Sequence, residues 1–130
     1  MLLDMDTRFE MIKVLVVDNQ APVRQGLRMR LSLEADLDVV ATARDSVEAT
    51  MLAQALVPDV IVIDVEMPGG DGMSTIEHLR RAAPGGAVVV LTLRDDPQTR
   101  ARAERAGAHA FVEKQGNIDT LLREIRRVVS

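Results

Sequence analysis

The stretch that decides the fold is Ile61-Val62-Ile63-Asp64-Val65-Glu66-Met67-Pro68-Gly69-Gly70-Asp71-Gly72. A β-branched apolar run ends on a carboxylate and breaks at once into a Pro/Gly turn, which is how a buried parallel strand delivers a charged side chain to the rim of its sheet. Asp64 is therefore predicted at the C-terminal end of a strand. In open α/β sheets ligands bind beyond that end, so the groups that converge on it decide the chemistry.

Similar runs flank it on both sides. Upstream, Ile12-Lys13-Val14-Leu15-Val16-Val17 leads into Asp18-Asn19-Gln20, and Val39-Val40-Ala41-Thr42-Ala43 makes a weaker strand. Downstream, Ala87-Val88-Val89-Val90-Leu91 leads into Thr92, and Ala110-Phe111-Val112 into Glu113-Lys114. The segments between them read as helices. Val23, Leu27 and Leu31 recur every four residues after Pro22, and Asp45 with Glu48 has capping-box spacing before a helix whose apolar face is Val47, Met51, Leu52, Ala55 and Leu56. Pro58 closes that helix. A third helix begins near Met73 and turns Ile76 and Leu79 inward, ahead of the Pro84-Gly85-Gly86 loop. Asp96-Pro97 starts a fourth, which has only alanines to bury over residues 98–106 and stops at Gly107. Ile118, Leu121, Leu122, Ile125 and Val128 form the inner face of the last. Five strands alternating with five helices predict an α/β, doubly wound parallel sheet. In the flavodoxin-like (βα)5 order 2-1-3-4-5, strands one and three are neighbours, and Asp18 and Asp64 then meet at one end.

A chain of 130 residues suits one domain, expected over residues 11–130 behind a tail of residues 1–10, with Met11 a candidate functional start. Nothing in it is long and apolar enough to span a bilayer, and the first ten residues lack the basic region of a secretory signal. The absence of cysteine removes disulfides, thiol redox chemistry and thiolate metal sites together, which fits a cytoplasmic protein. A net charge of -4 with two phenylalanines as the sole aromatics argues against a surface that binds nucleic acid directly.

The strand-end groups share one rim: Asp18 and Asn19, Asp64, Thr92 and Lys114. Clustered carboxylates raise each other's proton affinity unless a cation neutralises them, and an oxygen-only donor set suits a hard divalent ion, Mg²⁺ or Mn²⁺. Phosphoryl transfer needs such a metal, an in-line nucleophile and donors for the equatorial charge. Asp64 is the candidate nucleophile, giving an aspartyl phosphate, with Asp18 and Asn19 on the metal and Thr92 and Lys114 on the phosphoryl oxygens.

At these residues the chain resembles the receiver domain of two-component response regulators. Val16-Val17-Asp18-Asn19, Asp64-Val65-Glu66-Met67-Pro68-Gly69-Gly70-Asp71-Gly72, Leu91-Thr92 and Phe111-Val112-Glu113-Lys114 follow the family's landmarks in order. Pro58-Asp59-Val60, Ala106-Gly107-Ala108 and Leu122-Arg123-Glu124-Ile125-Arg126-Arg127-Val128 are similar to receivers of LuxR/NarL-type regulators. The resemblance implies that a sensor histidine kinase phosphorylates Asp64, that the Glu66 backbone carbonyl ligates Mg²⁺, and that Thr92 and Phe111 move as a coupled switch. The domain then catalyses its own modification and turns over no external substrate. Ending on the fifth helix, the chain reads either as a single-domain regulator or as the receiver of a longer transcription factor.

Three residues depart from the family's pattern or bear on it. Asn19 stands where a second acid is usual and contributes an amide oxygen without charge. The Glu66 side chain can reach the metal, directly or through water, or remain a solvated loop glutamate. Phe111 replaces the common tyrosine and keeps its volume without the hydroxyl. Two other functions compete: a phosphorylation-independent interaction module, motivated by Asn19, and an aspartyl-phosphate phosphohydrolase, which wants an acid where Gln20 follows Asp18. His78 and His109 are given no metal or catalytic role. Arg100, Arg102, Arg105, Arg123, Arg126 and Arg127 make the last two helices basic, a solvated face first and a contact for an acidic partner second. A homodimer is expected through the last two helices or through the first and last.

Overall fold

The computed structural model describes residues 10–67, 72–93 and 95–130. The predicted tail falls outside them apart from Glu10, as do Pro68, Gly69, Gly70 and Asp71 of the predicted turn after Asp64. The apolar runs form β1 (Ile12–Val17), β2 (Leu37–Ala43), β3 (Val60–Asp64), β4 (Ala87–Thr92) and β5 (Ala110–Glu113). Between and after them lie α1 (Ala21–Ser32), α2 (Ser46–Leu56), α3 (Gly72–Ala82), α4 (Pro97–Ala106) and α5 (Ile118–Val128). The sheet is parallel throughout, in the order β2-β1-β3-β4-β5. The alternation predicts the doubly wound parallel sheet, and the order is the expected flavodoxin-like one. β2 begins two residues earlier than its apolar run suggested, at Leu37, because Asp38 faces outward on an edge strand.

Alternation along each strand divides the core into two layers, as period-two side-chain geometry requires. Val14, Val16, Val60, Val62 and Val89 pack under α1 and α5, against Leu31, Leu121, Leu122 and Ile125. Leu15, Val17, Ile61, Ile63, Val88 and Val90 pack under α2, α3 and α4, against Ala49, Ala53, Ile76, Leu79 and Ala103. Each fully buried Leu, Ile or Val stabilises the fold by about 1.5–3 kcal/mol.

One expectation is overturned. Val47 and Met51 are 71% and 65% exposed and Ala55 is exposed as well, while Ala49 and Ala53 are the residues α2 buries; Leu52 packs against the same layer, as expected. Apolar residues occur on most sides of this helix, so their spacing does not select a face. What selects it is the close seating of α2 against the sheet and α3, where the alanines fit and valine and methionine do not.

The ends of the helices follow their sequence signals. Asp45 Oδ1 accepts from the Glu48 N–H at 2.8 Å, and Glu48 Oε1 accepts from the Arg44 N–H at 2.9 Å. Asp96 Oδ1 caps α4 through the Thr99 N–H at 2.8 Å, and Gly107 ends it at φ 116°. At the end of α2, by contrast, Val57 adopts the left-handed conformation with φ 49°, a costly one for a β-branched side chain.

Candidate functional site

The strand register sets the depth of each rim group. Val17 lies opposite Ile63, so Asp18 stands level with Asp64; Asp64 lies opposite Leu91, so Thr92 stands one residue further out. Thr92 in turn lies opposite Glu113, which puts Lys114 just beyond it, where its N–H donates to the Thr92 carbonyl at 2.7 Å. Asp18, Asp64 and Thr92 are all buried, at 0%, 2% and 0% exposure. A hydrophobic sheet with covered faces thus carries two desolvated carboxylates and a hydroxyl at one end.

Lys114 joins the carboxylates. Its Nζ lies 2.8 Å from Asp18 Oδ2 and 2.8 Å from Asp64 Oδ2. Burial is the largest influence on the ammonium and opposes its charge, but its contacts with Asp18 and Asp64 together outweigh it and hold its pKa above the usual lysine value. The remaining carboxylate oxygens are held by backbone: Asp18 Oδ1 accepts from the Gln20 N–H and Asp64 Oδ1 from the Glu66 N–H, each at 2.9 Å. Asp18 is further anchored by Arg24, whose guanidinium donates to its carbonyl at 2.8 Å. Arg24 was not anticipated, because nothing in the spacing of the α1 arginines marks which of them turns back to the rim.

Asp18 Oδ2 is fully buried and meets the ammonium as an ion pair without a well-aligned hydrogen bond. An oxygen-only donor set with a buried carboxylate oxygen in that condition suits a small hard cation. Asn19, next in sequence, is exposed. Among the described residues, no three His, Cys, Asp or Glu side chains are grouped to hold a metal.

Glu66 does not turn its side chain to the carboxylates. Its Oε1 accepts from the Thr92 hydroxyl at 3.3 Å and also from the Leu93 N–H. Phe111 is half-buried on β5, with the Arg100 guanidinium 4.6 Å from its ring centroid. The ring borders a cleft of about 420 Å³ between α4, β5 and α5. The structure therefore brings Asp18, Asp64, Thr92, Lys114 and Glu66 together and leaves Asn19 at the margin.

His109 has a structural part: its Nδ1 accepts from the Val88 N–H at 3.0 Å. Of the six arginines on α4 and α5, Arg100 pairs with Asp95, Arg126 with Glu34 and Asp36, and Arg127 with Glu124. No helix among the described residues is long and apolar enough to cross a membrane.

Comparison with known proteins places this geometry. Residues 14–126 match the family described as the response regulator receiver domain. The response regulator GacA of Pseudomonas aeruginosa is 36% identical over 118 residues, covering 91% of this chain and 55% of that protein. The transcriptional regulatory protein LnrK of Bacillus subtilis is 35% identical over 120 residues, covering 92% of this chain and 54% of that protein. The chain thus spans about half the length of these curated relatives. The signal receiver domain of a response regulator designated NarL from Mycobacterium tuberculosis superposes with a TM-score of 0.80 at 29% identity, over 90% of this chain and 98% of that one. With the fold, the buried carboxylate pair and these likenesses in agreement, the chain belongs to the response regulator receiver domains, the phosphoacceptor signalling modules of two-component systems.

Proposed function

We propose that Asp64 is the phosphoacceptor, taking a phosphoryl group from the phosphohistidine of a sensor histidine kinase. The observation that carries this reading is the Lys114 ammonium set 2.8 Å from both Asp18 and Asp64, so that Asp64 is held as an oriented carboxylate at the open end of the sheet. An Asp64 oxygen forms the new bond to phosphorus as the bond from phosphorus to the histidine nitrogen breaks, and the imidazole leaves with that electron pair. Lys114 and the Thr92 hydroxyl supply donors to the transferred oxygens. Mg²⁺, the family's usual ion, fits the oxygen donors of Asp18, Asp64 and the Glu66 backbone carbonyl, with the Asn19 amide as a weaker member. When bound it neutralises charge between the carboxylates and the phosphoryl group. Attack of water on that phosphorus, at the same residues, breaks its bond to the Asp64 oxygen, releases inorganic phosphate and returns the domain to rest.

Engagement of Thr92 by the phosphoryl group is then coupled to Phe111, whose ring borders the cleft between α4 and α5. Output follows through altered contacts of that face, with a protein partner or a second copy of this chain; α1 with α5 is the alternative dimer surface. The domain works in the cytoplasm over residues 11–130 and leaves any DNA contact to another domain, in keeping with the transcriptional role named for LnrK.

The test is incubation with acetyl phosphate and Mg²⁺, followed by intact mass measurement on wild type and Asp64→Ala. Gain of one phosphoryl group by wild type alone is expected. Asn19 favours a second reading, an interaction module that works without phosphorylation, and that reading predicts no mass gain even at saturating Mg²⁺.

A further inference from the structure

Two donors beside Asp64 are already engaged. Thr92 follows Leu91, the register partner of Asp64, and its hydroxyl donates to Glu66 Oε1 at 3.3 Å. The Leu93 N–H donates to the same oxygen. Glu66 approaches from the other strand: its own N–H donates to Asp64 Oδ1 at 2.9 Å, and this tight turn projects its side chain past the carboxylate toward β4. One carboxylate oxygen therefore collects a hydroxyl and a backbone N–H within the site. Those are the donor types that the peripheral oxygens of a phosphoryl group on Asp64 require.

We infer that the Glu66 carboxylate is an internal stand-in for the phosphoryl oxygens, holding Thr92 and Leu93 until phosphorylation of Asp64 displaces it. The inference rests on Asp64 being the phosphoacceptor. Two consequences follow from charge and geometry. Thr92 cannot turn to a phosphoryl group while its hydroxyl remains on Glu66, so Glu66 is a positioning residue that fixes the resting state of the switch. A negative group also sits on the donors that an anionic phosphodonor must reach, which slows its entry. Glu66 is exposed, so its released carboxylate is hydrated at once and the gate opens without burying a charge.

Phosphorylation by acetyl phosphate at saturating Mg²⁺, followed by intact mass over time, tests this on wild type, Glu66→Ala and Glu66→Gln. The Asp64 oxygen bonds to phosphorus as the acetyl C–O–P linkage opens at phosphorus and acetate leaves. Glu66→Ala should react roughly tenfold faster, the order of effect of one charge-assisted hydrogen-bond pair, and Glu66→Gln, a neutral acceptor, should fall between. In the resting protein the Leu93 amide proton resonance should move upfield in Glu66→Ala, a response that looser folding elsewhere would not reproduce. Mg²⁺ affinity, followed by amide shifts on titration, should stay within about threefold of wild type. Equal or slower reaction of Glu66→Ala, or an unmoved Leu93 amide, overturns the inference; a larger fall in Mg²⁺ affinity does so too, by assigning the side chain to the metal. If wild type takes up no phosphoryl group, the assignment of Asp64 falls with it. If wild type is phosphorylated, Asp64→Ala is not, and the Glu66 variants match wild type, the stand-in alone is wrong.

Discussion

Lys114→Met removes the ammonium that faces two buried carboxylates while keeping an apolar stem of similar length. Asp18, Asp64 and Lys114 together carry a charge of -1, and the variant leaves -2 at a site where the acids are 0% and 3% exposed by side chain. At 2.8 Å each attraction is worth roughly 6 kcal/mol at an effective dielectric constant of about 20. Desolvation of the three ions offsets most of that sum, so the expected loss is the roughly 3–5 kcal/mol seen when one partner of a buried ion pair is deleted. For a domain of this size that corresponds to a fall in Tm of roughly 11–18 °C. Urea unfolding followed by far-ultraviolet circular dichroism suits a chain without Trp or Tyr. Because the ammonium's pKa is raised, its contribution is complete below the ordinary lysine value of 10.5 and lost as pH rises through the higher folded value. The gap between wild type and variant should therefore persist from neutral pH to about 10.5 and close above it. Saturating Mg²⁺ should restore part of the loss. A difference under about 1 kcal/mol, the range of an exposed ion pair, would refute the view that Lys114 neutralises this site.

Val57→Gly should raise stability by about 1 kcal/mol in the same assay, since it relieves a left-handed valine at the end of α2; no gain would mean that the conformation is unstrained. His109 is held below its usual pKa by burial, reinforced by the positive charges of Arg80 and Arg127, and its Nδ1 must be unprotonated to accept from Val88. Its contribution is thus present above about 6.5 and lost as pH falls through the lower folded value, and His109→Gln should flatten the decline in stability between neutral pH and pH 5. α4, which buries only Ala103, should exchange its amide hydrogens faster than α3 or α5, and finding it the best protected helix would contradict the packing argument.

The strands, the parallel sheet and the rim they share were legible because apolar runs ending on polar residues recur at βα spacing, and the flavodoxin-like order then brings Asp18 level with Asp64. Asp64, Asp18, Thr92 and Lys114 could be named for that reason, Asp64 and Thr92 being the last residues of their strands and Asp18 and Lys114 the first residues past theirs. The inward face of α2 was legible only at Leu52: its apolar residues surround the helix, and only the sheet and α3 decide that Ala49 and Ala53 fit. Nor did the sequence announce where the Glu66 carboxylate goes, since its donors, Thr92 and Leu93, are remote in sequence and are brought near by the register of β3 with β4. Arg24 escaped notice for a similar reason, because a guanidinium on a long stem leaves no periodic trace.

The thin attachment of α4 also bears on how such a domain can change its listeners. Gln98, Arg102, Glu104 and Arg105 are exposed, and the helix is held by its Asp96 cap, the turn at Gly107, Arg100 against Phe111 and Asp95, and small side chains, of which Ala103 alone is fully buried. Substitutions at such outward positions typically alter stability by less than about 0.5 kcal/mol. Residues there can diverge to suit a new partner, or to repel an unwanted one, while the β-strands that seat the carboxylates stay as they are. Insulation between parallel signalling routes can thus be rewritten on one helix without renegotiating the fold.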